Sequence, residues 1–86
     1  MQVQTLVSKV DTSKFEVIPD DDVVREMQHM HAPVEKMVGE ALKFVDGSDE
    51  QDLAVQRYFI EKGYSEQFAG WITREANTRR AAEIQG

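Results

Sequence analysis

A chain of 86 residues with no cysteine and a formal net charge of −6 has the length of one domain and excludes disulfides, thiolate metal sites and cysteine catalysis. A domain this small buries only about 60% of its unfolded surface, which leaves little interior for a substrate chamber. The acidic balance opposes non-specific nucleic-acid binding, and no run of about 18 apolar residues is present to cross a membrane.

Residues 1–19 are expected to form an extended arm or β-hairpin. Val3, Thr5 and Val7 alternate with Gln2, Gln4 and Leu6, and Phe15 and Val17 alternate with Lys14 and Glu16. Asp11-Thr12-Ser13 reads as the turn between two short strands. Such a hairpin is marginal alone and would have to pack on the rest of the chain or pair with a neighbour.

Residues 20–86 are expected to be a helical core. Asp20-Asp21-Asp22 follows Pro19 and precedes Val23, Val24, Met27 and Met30, so a carboxylate-capped helix is predicted over about 21–31. Pro33 suits the first turn of a second helix. Val34, Met37, Val38, Ala41, Leu42 and Val45 give that helix an apolar stripe, and Asp46-Gly47 should end it. Ser48 and Gln51 have capping-box spacing for a third helix. There Leu53, Val55, Tyr58, Phe59 and Ile60 spread around the axis, as in a central helix or one with a face kept for a partner. Lys62-Gly63 closes it. Ser65 is the expected N-cap of a fourth helix over about 66–84, which buries Phe68, Ala69, Trp71, Ile72 and Ala76 and has little to bury beyond them. The fold class is therefore mainly α: a compact bundle of about four short helices in a single domain.

No reaction centre is expected. Met27, Met30 and His31 share a helical face in a pattern that suits Cu(I), but the same spacing serves core packing, with His29 to solvent. The acidic run from Asp46 puts Gln51 and Arg57 where a calcium loop needs Gly and Glu. No nucleophile elbow or glycine-rich phosphate loop is present. The chain is read as non-enzymatic, without metal or cofactor. Met1–Val10 lacks the pattern of a secretory signal, and small secreted domains usually rely on disulfides, so a cytoplasmic setting is expected.

The charge distribution points to a binding role. Residues 1–53 hold 5 Lys/Arg against 12 Asp/Glu, and residues 54–86 hold 5 against 4. Dense carboxylates can occupy a groove meant for phosphates. The candidate partner-binding residues are Asp20, Asp21, Asp22, Glu26, Asp49, Glu50 and Asp52, with Tyr64 as an exposed aromatic contact at the Gly63 turn, and Arg79 and Arg80. The expected partner is a protein, with a nucleic-acid-handling enzyme in first place and a monomer or small homo-oligomer as the binding form. Two other functions fit the same residues. One is a structural subunit of a virion or complex whose arm pairs with a neighbour. The other is a helix-turn-helix-like DNA-binding regulator, for which the helix after Gly63 begins with the acidic and bulky Glu66-Gln67-Phe68-Ala69-Gly70-Trp71.

The run Lys14-Phe15-Glu16-Val17-Ile18-Pro19, with Val34-Glu35, Phe44 and Leu53-Ala54, resembles a small anti-CRISPR protein of the type II-C class over about the middle half of the chain. That resemblance implies a phage-encoded inhibitor that binds a CRISPR nuclease and blocks DNA engagement in a bacterial host cell. Val55, Glu61, Glu66, Trp71 and Arg80 are similar to part of the theta subunit of bacterial DNA polymerase III, from which the acidic front half departs. Neither resemblance carries a functional site onto named residues here.

Overall fold

The computed structural model describes residues 14–85. Four helices follow residues 14–20, which hold no regular strand: α1 (Asp21–His29), α2 (Val34–Phe44), α3 (Asp49–Glu61) and α4 (Glu66–Gln85). The mainly helical bundle expected from the periodicity is what the chain forms. The expected turn at 11–13 and the strand before it lie outside the described residues. No strand occurs among those that are described.

The helix boundaries follow from local chemistry. The Asp20 side chain makes no cap hydrogen bond at α1, so the aspartates there act through their charge on the dipole rather than as an acceptor. The helix stops at His29, short of the expected 31, because His31 enters the left-handed region at φ 51. His31 N donates to Gln28 O and Ala32 N to Met27 O, the paired bonds of a Schellman ending. Gly63 does the same for α3 at φ 108, with Gly63 N bonded to Ile60 O and Tyr64 N to Phe59 O. Pro33 lies one residue outside α2 rather than in its first turn. Its carbonyl accepts from Met37 N, while Val34 N reaches back to Ala32 O across it.

The α2–α3 connection departs from expectation in detail. Val45 is already extended, so Gly47, at φ 89, is not the helix cap. It sits in a turn closed by Asp46 Oδ1, which accepts from Ser48 N at 2.9 Å and Ser48 Oγ at 2.6 Å. Ser48 Oγ in turn accepts from Gln51 N at 3.2 Å. The capping box is thus half formed, with the Ser48 amide held by Asp46 and not by Gln51. Ser65 caps α4 as expected, accepting from Phe68 N at 3.1 Å.

The central helix is α4, against which α1, α2 and α3 all pack. Phe68, Ala69, Trp71, Ile72 and Ala76 are buried as expected, and Thr73 and Glu75 join them. At 100° per residue these positions cover roughly 200° of the helix, more than one amphipathic stripe. The core is completed by Val23 and Met27 of α1, Met37, Val38 and Ala41 of α2, Val45, and Val55 and Phe59 of α3. Met30 and His31 stay outside it. The expected Met27–Met30–His31 face does not pack as a unit, because the helix ends before its second half.

The described part of the arm adds one more core residue. Phe15 is buried and meets Trp71 edge-on at a centroid distance of 4.8 Å. Lys14 and Glu16 are exposed on either side of it, and Val17 is half-buried against the core. Among the described residues, the main chain of Glu16 and Val17 bonds to side chains of α4.

Candidate functional site

The acidic residues separate into exposed and engaged groups. Asp20, Asp21 and Asp22 are exposed at the start of α1, and Asp49 and Glu50 at the start of α3. Asp22 pairs with Arg25. Among the described residues no ion pair involves Asp20, Asp21, Asp49 or Glu50. Each lies at the positive end of a helix dipole, which favours its charge where it stands. The Asp46 carboxyl beside them is held below its usual range, first by the Ser48 hydroxyl, then by the Ser48 amide, with Arg80 adding a smaller pull.

Glu26 and Asp52 do other work. Glu26 accepts from Ser65 N at 2.8 Å and Ser65 Oγ at 2.5 Å, which ties α1 to the turn before α4. Asp52 accepts from Asn77 Nδ2 at 2.9 Å and so links α3 to α4. Both are half-buried, and both Glu26 oxygens and Asp52 Oδ1 are engaged within the fold.

The arginines are also engaged. Arg79 Nε donates to Glu75 Oε2 at 2.8 Å and Nη1 reaches Glu35 at 3.3 Å. Burial pulls the Arg79 guanidinium's pKa down, and these carboxylates outweigh that and raise it. Arg80 lies over the Asp46–Gly47 turn, where a Cβ added to Gly47 would stand 3.4 Å from its Nη1.

Among the aromatics, Tyr64 is half-buried, with its ring edge-on to Phe68 at 5.0 Å. The expected exposed contact is therefore not the most exposed ring. Phe44 (58% exposed) and Tyr58 (45%) are, and they border a groove of about 220 Å³ between α2 and α3. Ala41, Ala54, Val55 and Phe59 give it an apolar floor, and Glu40 and Gln51 are its polar wall. Lys62 sits 5.0 Å from the Tyr58 ring centre. Leu53 (59%) and Ile60 are exposed on another side of α3, so this helix is not the central one. Its scattered apolar pattern reflects residues left outside the core.

The residue that sequence reasoning passed over is Glu75. It is fully buried, and its oxygens accept from Glu16 N at 3.1 Å, Val17 N at 2.8 Å and Arg79. Trp71 Nε1 completes the grip by donating to Val17 O at 2.8 Å. A signal was present: Glu75 follows Trp71 by four and Ile72 by three, which puts it on the buried face, with Arg79 four residues on.

Among the described residues no group of three or more His, Asp or Glu could hold a metal ion, and no helix is long and apolar enough to cross a membrane. No family model matches the sequence, and no curated protein or solved structure matches it either.

Proposed function

We propose that this chain is a small acidic protein-binding inhibitor or adaptor that occludes a basic, nucleic-acid-binding surface of a host protein. The observation that carries the reading is the set Asp20, Asp21, Asp49 and Glu50: exposed, outside any ion pair among the described residues, and fixed on the first turns of two helices. Carboxylates already neutralised inside the fold would have little to offer a cationic groove, whereas these four are free to replace phosphates there.

The DNA-binding alternative draws less support. The helix after Gly63 faces inward at Phe68, Ala69, Trp71 and Ile72, and Arg79 is committed to carboxylates. A structural role has one observation in its favour, the uncovered apolar groove at Phe44 and Tyr58, since apolar patches mark contact surfaces.

The test is capture of a basic nucleic-acid-binding protein in competition with DNA. A type II-C CRISPR nuclease is the first choice, on the resemblance of the 14–19 segment. Capture should fall steeply as salt rises. Asp20→Asn, Asp21→Asn, Asp49→Asn and Glu50→Gln together should weaken it about 10–100-fold, with the helical fold kept and only a small drop in thermal midpoint from the lost charges at the helix starts. Salt-insensitive capture, or full affinity in the amide variant, would sink the reading.

A further inference from the structure

The turn between α2 and α3 sets side by side two groups that can react with each other. Asp46-Gly47 is the only Asp-Gly step in the chain. A bond from the Gly47 nitrogen to Asp46 Cγ closes a five-membered ring. Glycine obstructs that closure least, since it has no Cβ and moves freely in φ. Both residues are exposed, and Gly47 stands at φ 89. Its N–H enters no hydrogen bond among the described residues, so nothing holds the nucleophile away.

The carboxyl is the restrained partner. Asp46 Oδ1 accepts from Ser48 N at 2.9 Å and from Ser48 Oγ at 2.6 Å, which turns the carboxylate towards residue 48. The Ser48 hydroxyl, then the Ser48 amide and more weakly Arg80 also favour its ionised form. An ionised carboxyl resists attack, because the departing oxygen must leave as water and not as oxide. Ser48 therefore has two roles: its oxygen caps α3 through Gln51 N, and its hydroxyl proton occupies Asp46.

We propose that Asp46-Gly47 is a latent self-modification site, at which aspartate converts to isoaspartate, and that the Ser48 hydroxyl keeps it closed. Gly47 N bonds to Asp46 Cγ, and the C–OH bond of the protonated carboxyl breaks. That oxygen leaves as water with its own proton and the one from Gly47 N. Water then adds at one of the two imide carbonyls. Addition at Cγ restores aspartate. Addition at the Asp46 main-chain carbonyl breaks its bond to Gly47 N and leaves the chain running through Cβ. The water released is the water consumed, so the mass is unchanged and no oxidant or reductant takes part.

The product carries one more carbon in the main chain between α2 and α3, and its free carboxylate sits directly on Cα. The acceptor that held Ser48 is lost, and with it the turn that presents Asp49 and Glu50. The inference rests on this turn alone and does not depend on the proposed partner.

The experiment ages the full chain at neutral pH and locates isoaspartate by peptide mapping with electron-transfer fragmentation. A synthetic peptide of residues 43–50 gives the unrestrained rate. Ser48→Asp keeps a side-chain acceptor for Gln51 N without the hydroxyl donor, and Ser48→Gly removes the hydroxyl at little cost to capping. Ser48→Thr retains both functions. Circular dichroism confirms that each variant is folded. Residue 46 should isomerise about tenfold faster in the Asp and Gly variants than in the parent chain, the worth of one hydrogen bond to a charged group. The Thr variant should keep the parent rate, and the free peptide should be faster than any folded chain. A parent chain as fast as the peptide overturns the proposal. So do Asp and Gly variants that stay at the parent rate, or isoaspartate that forms at other aspartates and not at residue 46.

Discussion

Glu75 and Asp20 are both carboxylates, and their opposite fates show what decides a residue's role here. Asp20 begins a helix in open solvent and keeps its charge available. Glu75 sits on the inward face of α4 and is compensated by two amides and a guanidinium. A buried charge persists only when its oxygens are satisfied. Removing the acceptor strands two arm amides and leaves the Arg79 side chain with Glu35 alone. Glu75→Ala should therefore lower unfolding stability by about 2–4 kcal/mol, read as a shift of the urea midpoint. The same variant should move Trp71 emission to longer wavelength, because the arm that covers it is no longer held. Unchanged emission would mean that Phe15 alone secures the arm.

The helices were legible because their signals are local. Ser48, Ser65 and Gly63 each act on atoms within five residues, and their residue types reveal them. His31 was not legible, since nothing in its side chain announces a left-handed backbone. It takes that conformation because α1 must end for Ala32 to turn into the core beside Met27. A non-glycine residue there carries strain that glycine would relieve. His31→Gly should raise stability by about 0.5–1 kcal/mol. Gly63→Ala, at φ 108 with open space around an added Cβ, should lower it by about 1 kcal/mol through backbone strain alone. Equal and opposite shifts in thermal midpoint would support one shared cause, and a neutral His31→Gly would remove it.

At the scale of the molecule, one helix organises the rest. The arm, α1, α2 and α3 all find α4, and the contacts that join them are polar as well as apolar. Glu26 meets Ser65, Asp52 meets Asn77, and Glu35 meets Arg79. A core this small has few redundant contacts, so loss at its edge is felt throughout. Phe15→Ala opens the ring contact with Trp71 and should cost about 3–5 kcal/mol. Helical circular dichroism and Trp71 fluorescence should then melt together at a lower temperature. Separate transitions for the two probes would show that the arm is an independent appendage and not part of the cooperative unit.

Residue order alone determined the four helices, most of their ends and the five apolar residues of α4, because spacing and capping act over three or four positions and need no distant partner. The tertiary structure decided which polar groups are free and which are consumed. Glu26, Asp52 and Arg79 read as surface charge until the chain brings Ser65, Asn77 and Glu35 against them. Glu75 acquires its role only from amides 58 and 59 residues away. Hydrogen bonds of that span are set by how the helices meet, and no periodicity in the sequence encodes them.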